Sequence, residues 1–199
     1  MKLLKKIFSI IFHGFVFAVT IASAGAATAS NLEPLVDDFS DSKTNSMGVA
    51  RQFLNDSMTG GGTTMSPSVS NGILSVSGQI SPARGQPGWA SSVLLFDPAG
   101  QPVDASSYEG VRLRIKVSQG MLSVSANSTD VVNFDYHAAL IVVKADGEFH
   151  DVKVPFASMR RAWSEQTTLD TSTIASLSIV AFDMQPGAYD FEVDEVGFY

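Results

Sequence analysis

Cysteine is absent from all 199 residues, and that one absence closes several routes. No disulfide framework, thiolate nucleophile, cysteine-ligated zinc or iron–sulfur cluster can be built from this chain. Stability has to come from an apolar core, with a bound ion as a further staple. Histidine is scarce, three in all, and no Gly-x-Ser-x-Gly elbow occurs, so a serine–histidine–acid triad lacks its setting. Carboxylate pairs of the kind that cleave glycosides are numerous in so acidic a chain, and no pattern singles one out. Basic residues are few, 13 against 20 acidic, for a formal net charge of −7. A chain of this sign does not track nucleic-acid phosphates or anionic lipid heads.

What is present begins with Lys2, Lys5 and Lys6, followed by an apolar stretch over residues 7–21 and small residues over 22–29. That order is the pattern of a secretory signal peptide, with Ala27-Thr28-Ala29 as the cleavage site before Ser30. The rival is an uncleaved anchor, but the apolar run falls short of the ~20 residues that a spanning helix needs. The expected organisation is a signal peptide over 1–29 and a single β-sandwich domain over 30–199. The expected location is the periplasm or outside the cell, with no stable membrane insertion after cleavage. Loss of the segment removes three lysines and no acid, so the exported part is more acidic still.

The remainder reads as short strands separated by turn residues, with almost no helix. Its centre is Gly147-Glu148-Phe149-His150-Asp151-Val152-Lys153-Val154-Pro155-Phe156. Val152, Val154 and Phe156 alternate as core-facing positions, and Pro155 marks a strand end or an edge. Ala139-Leu140-Ile141-Val142-Val143 reads as the preceding strand, and Asp146-Gly147 as the turn of a hairpin. His137 and His150 are then expected in neighbouring strands. Val111 to Val117 alternates fully, with Arg112, Arg114 and Lys116 on a solvated face. Residues 55–67 read as a loop; its run Gly60-Gly61-Gly62 lacks the Lys-Ser/Thr and the helix of a phosphate cradle. Residues 157–173 are the one stretch long enough for a helical turn. In the last strand the apolar phase changes between Val193 and Val196, which implies either two buried faces or a bulge near Asp194-Glu195.

Four landmarks in order, Asp37-Asp38-Phe39, Tyr108-Glu109-Gly110-Val111, the Gly-Glu-aromatic to Pro-Phe stretch above, and Gly187-Ala188-Tyr189-Asp190-Phe191-Glu192-Val193-Asp194-Glu195-Val196, resemble the complex I intermediate-associated protein family. The resemblance runs from Leu35 to Tyr199, and Met58-Thr59-Gly60-Gly61-Gly62 is similar to a Met-Gly-Gly element of that family. It implies a galactose-binding-like jelly roll, the fold of many carbohydrate-binding modules. By analogy with such jelly rolls, Asp37, Asp38, Asp194 and Glu195 would hold a structural calcium where the first and last strands meet.

For binding, the expected residues are Trp163, Arg160, Arg161 and Tyr136. Two arginines beside a tryptophan make a small cationic–aromatic patch on an acidic chain, and both types are frequent binding hot spots. The other place open to Trp163 is the core, where large aromatics usually go; Trp89, at a strand start, is assigned to the core. The reading is a non-catalytic exported binding or assembly module. A protein partner in the cell envelope is favoured, as the resemblance implies, and a carbohydrate is the alternative.

Overall fold

The computed structural model describes residues 32–199. The expected signal segment, its cleavage after Ala29 and the boundary at residue 30 lie outside the described residues. The chain forms β1 Leu35–Asp37, β2 Gln52–Asn55, β3 Ser66–Ser70, β4 Ile73–Ile80, β5 Gly88–Leu95, β6 Gly110–Gln119, β7 Leu122–Ser128, β8 His137–Leu140, β9 His150–Pro155, β10 Arg160–Arg161, β11 Ile174–Asp183 and β12 Gly187–Phe198. Three single 3₁₀ turns, Asp56–Thr59, Phe156–Ser158 and Thr171–Thr173, complete the regular structure among the described residues. Two of them bracket the stretch expected to hold a helical turn.

The strands build two six-stranded antiparallel sheets. The first has the order β3-β4-β12-β6-β9, with β1 also on β12; the second has the order β10-β8-β7-β11-β5-β2. Neighbours far apart in sequence, such as β4, β12 and β6, are the mark of a jelly roll rather than a meander. Between the sheets lies one apolar layer. Leu74, Val76, Leu113, Ile115, Phe191 and Val193 come to it from the first sheet, and Leu94, Leu122, Val124, Leu177, Ile179 and Ala181 from the second.

β6 behaves as its alternation dictates. Val111, Leu113, Ile115 and Val117 are buried, while Arg112, Arg114 and Lys116 meet Glu195, Asp194 and Glu192 of β12 on the outer face. The phase change in β12 is a bulge. Its register against β6 shifts between Val193 and Glu195, so Val193 and Val196 both reach the core. β3 was not expected, since Ser-Pro-Ser-Val-Ser has little strand propensity. It forms because Asn71 and Gly72, at φ of 54° and 74°, turn it back along β4. Asn-Gly is the residue pair that such a two-residue turn prefers.

The central hairpin is corrected. β8 pairs with β7 and β10 in the second sheet, whereas β9 pairs with β6 in the first. Residues 141–149 therefore cross from one sheet to the other, and His137 and His150 stand in different sheets. Period two shows which face of a strand is buried; it does not show which strand lies beside it. Val154 is buried, Val152 half-buried against the core, and Phe156 enters it from the 3₁₀ turn after Pro155. The Phe156 ring lies 6.2 Å from that of Phe198. Phe156→Ala is expected to cost about 3–5 kcal/mol in chemical denaturation; a loss below about 1 kcal/mol would show that the corner is not part of the core.

Candidate functional site

The outer face of the second sheet differs from that of the first. Strand alternation sends Leu122, Val124, Leu177 and Ile179 inward, which turns Ser123, Ser125, Asn127, Ser176, Ser178 and Val180 outward. Register joins them into rows across the sheet. One row runs Gln52, Val93, Ser178, Ser125, Ala138, Arg160, and the next runs Leu54, Ser91, Val180, Ser123, Leu140. The five serines of this face are only 2–7 % exposed although they point away from the core. Small side chains set among larger ones make a low floor on this face. Asn127 Nδ2 donates to Ser176 Oγ and to Ser178 Oγ, each at 2.9 Å, so the floor is a connected polar surface. Trp89 sits opposite Phe182 at one end of it. This corrects the assignment of Trp89 to the core: Ala90, Ser92 and Leu94 are the inward residues of β5, and Trp89 is half-buried on the other face.

The β8–β10 edge carries the residues expected to bind, held by one buried carboxylate. Asp135 is buried, and it accepts from Arg161 Nε at 2.9 Å, Ala162 N at 2.9 Å, Ser164 N at 3.0 Å and the Ser164 hydroxyl. Burial alone would push this carboxyl up. The donors of Ser164, Arg161 and Tyr136 outweigh that effect and hold it well below the usual carboxylate range. Arg161 also donates to Asn133 Oδ1 at 2.8 Å and to Thr167 Oγ1 at 3.3 Å. It is thus a clamp between the 129–136 and 162–167 segments. Arg160, its neighbour, is exposed and shares the outer face with Ala138 and the serine floor.

Trp163 is 61 % exposed, so the core alternative does not hold. Its ring stands edge-on to Tyr136, with centroids 5.3 Å apart. The structure therefore brings Arg160, Trp163 and Tyr136 to one sheet edge and separates Arg161 from them in role. The serine floor escaped the sequence reading. Its signal was there in Leu122-Ser123-Val124-Ser125 and Ser176-Leu177-Ser178-Ile179, where one phase of the strand is hydroxyl throughout.

The four acids expected to ligate calcium do not converge. Asp37 is fully buried and makes a two-pronged pair with Arg51, at 2.6 and 2.8 Å. Asp38 accepts from Ser40 and Ser46; the Ser40 hydroxyl first, then its amide, hold its carboxyl below the usual range. Asp194 accepts from Arg114 Nε at 2.7 Å, and Glu195 pairs with Arg112. Among the described residues no group of three or more His, Asp and Glu side chains gathers around one point. Carboxylates already engaged by arginines and hydroxyls do not fit a cation that takes about 6–8 oxygens.

The second sheet of the sandwich thus joins a hydroxyl-lined outer face to an aromatic edge. The model of the Complex I intermediate-associated protein 30 (CIA30) family matches residues 38–193, and the chain belongs to that family. Among solved structures it is similar to the family 11 carbohydrate-binding module of the cellulosomal cellulase Lic26A-Cel5E of Clostridium thermocellum. The identity is 19 % and the TM-score 0.61, over 85 % of this chain and 95 % of that one. The family 11 module from Clostridium thermocellum in complex with a β-1,3-1,4-mixed-linked tetrasaccharide matches at 20 % identity and TM-score 0.59, over 83 % and 94 %. The agarase AgWH50C matches at 12 % identity and TM-score 0.56, over 83 % of this chain and 24 % of its own. At these identities the likeness is one of fold. No curated protein matches.

Two outcomes follow from the charged groups. Folding lowers the Asp135 pKa, so its contribution is complete above the ordinary carboxylate range and is lost as pH falls through about 4 towards the folded value. The melting-temperature advantage of the unaltered chain over Asp135→Asn is therefore expected to be constant near neutrality and to shrink below about pH 4. Asp194→Asn is expected to change the melting temperature equally in calcium and in chelator; a loss confined to calcium would restore an ion there.

Proposed function

We propose that this chain is an exported, non-catalytic binding module and that its ligand is a carbohydrate laid on the outer face of the second sheet. The observation that carries this is the serine and asparagine floor on the water-facing side of β7 and β11. A sugar chain presents hydroxyls in rows and apolar ring faces between them. Serine hydroxyls both donate and accept, and the Asn127 amide does the same. Arg160 adds charged donors at the rim, and Trp163, braced on Tyr136, offers an aromatic face. The fold likeness to a module solved with a tetrasaccharide supports the reading, and the basic–apolar–small start of the chain supports export.

Binding without cleavage is supported by the composition of the floor. Glycoside hydrolysis needs two carboxylates flanking the bond, about 5–10 Å apart, and the two rows named above contain none. The histidines serve elsewhere. His137 Nε2 lies 2.9 Å from the Thr167 carbonyl, while His150 Nε2 lies 2.8 Å from Asp146 Oδ1 in the other sheet.

A protein partner in the cell envelope is the second reading, and a separate observation favours it. Val132, Phe134 and Val142, near the same edge, are strongly exposed, with Phe134 at 94 % and at a φ of 62°. Apolar side chains displayed in this way suit a protein surface. A glycan array beside co-purification from the envelope separates the two. For carbohydrate, Ser178→Trp is expected to cover the serine floor and abolish array binding, and Trp163→Ala to weaken it by about 2 kcal/mol with the fold intact. Array binding that is absent, with an envelope partner lost on Phe134→Ser and kept in Ser178→Trp, would reverse the order.

A further inference from the structure

The serine floor has a second aromatic end, away from Trp163 and Tyr136. There Trp89 of β5 lies opposite Phe182 of β11. Both are in the outward phase of their strands, next to the inward Ala90 and Ala181, and both are half-buried. Neither belongs to the core or to the partly buried fringe packed on it. The inner face is filled without them, and a large aromatic pair on the wet side of a sheet marks a contact surface. The end is rigid. Trp89 N donates to the buried Asp56 carboxylate at 3.2 Å, which also accepts from Thr63 N and Thr63 Oγ1.

Register sets the path between the two aromatic ends. Ser125 stands opposite Ala138, two residues on from Tyr136. Val180 is two residues on from Ser178, the partner of Ser125, and Trp89 is two residues on from Ser91, the partner of Val180. Tyr136, Ser125, Val180 and Trp89 therefore lie on one diagonal, each a strand over and two residues along from the last. Diagonal neighbours in a sheet are about 7–8 Å apart, so the line is roughly 20–25 Å long. The hydroxyls of Ser123, Ser178 and Ser91 flank it.

We infer that Trp89 and Phe182 form the far subsite for a linear polysaccharide laid along this diagonal from Trp163, so that the ligand is a chain of about five sugars or more. This subsite rests on the carbohydrate reading and narrows it, away from short or branch-end glycans. A pyranose ring has an apolar face that lies on an indole, and its edges carry hydroxyls that pair with serine. The diagonal offers those features in that order, aromatic at each end and hydroxyl between. A short glycan engages one end at a time. A chain that spans both converts the second contact into an intramolecular one and gains affinity from it.

Affinity electrophoresis of the purified full chain in β-1,3-1,4-glucan, mannan, xylan and agarose, beside the glycan array, selects the backbone. Titration calorimetry then follows its oligosaccharides from trimer to octamer. Affinity is expected to rise at least about tenfold from trimer to hexamer, and Trp89→Ala to remove most of that gain. The chain has two tryptophans, so in Trp163→Phe the indole emission reports Trp89 alone. That emission is expected to change when the hexamer binds, a readout that stands even where Trp89→Ala fails to fold. A hexamer bound no more tightly than the trimer would overturn the subsite and leave the carbohydrate reading in place. So would a length gain kept by a folded Trp89→Ala, Trp89 emission indifferent to bound hexamer, or array binding confined to short or branch-end glycans. Binding to no polysaccharide and no arrayed glycan would remove the reading, and the subsite with it.

Discussion

Each long strand in this molecule has to give one face to the same apolar layer, and the rest of the structure follows from that constraint. Burial of Leu113, Ile115, Val124, Ile179 and their neighbours fixes the register of β6, β7, β11 and β12, because a slip of one residue would turn the apolar set outward. Once the inner faces are committed, the outer faces are free to differ. The first sheet uses its own for a matched ladder, Arg112 with Glu195, Arg114 with Asp194 and Lys116 with Glu192. Such a face is neutral overall and solvated. The second sheet places hydroxyls at the equivalent positions, and those small side chains form a low polar floor.

Two buried ion pairs act where the layer alone cannot. Asp37 and Arg51 tie the end of β1, in one sheet, to the entry of β2, in the other; the Arg51 guanidinium also lies 5.0 Å from the Phe39 ring centroid. Asp135 and Arg161 join two loops at the sheet edge and present Trp163 to solvent. Buried pairs of this kind add little net stability over apolar substitutes, but breaking one leaves an uncompensated charge. Their role here is positional. The Asp135 clamp, together with the β8–β10 pairing and the Ala162 N to Tyr136 O bond, holds the segment carrying Trp163 beside the floor.

Strand faces were legible from the sequence alone. Period-two alternation in Val111 to Val117 showed its buried side and its solvated side, and the phase change after Val193 pointed to a bulge. The ordered landmarks carried the family. Those inferences rest on local stereochemistry, since successive residues of a strand point to opposite sides wherever the strand lies. Tertiary structure decided which strands became neighbours. It put β8 and β9 in different sheets, Trp89 on an outer face, Arg161 in a clamp on Asp135, and Arg114 and Arg112 against two acids expected to hold an ion. It also assembled Ser125 of β7, Ser178 of β11 and Arg160 of β10 into one row. Pairing between segments dozens of residues apart depends on how the whole chain closes over its core, and no local pattern records it.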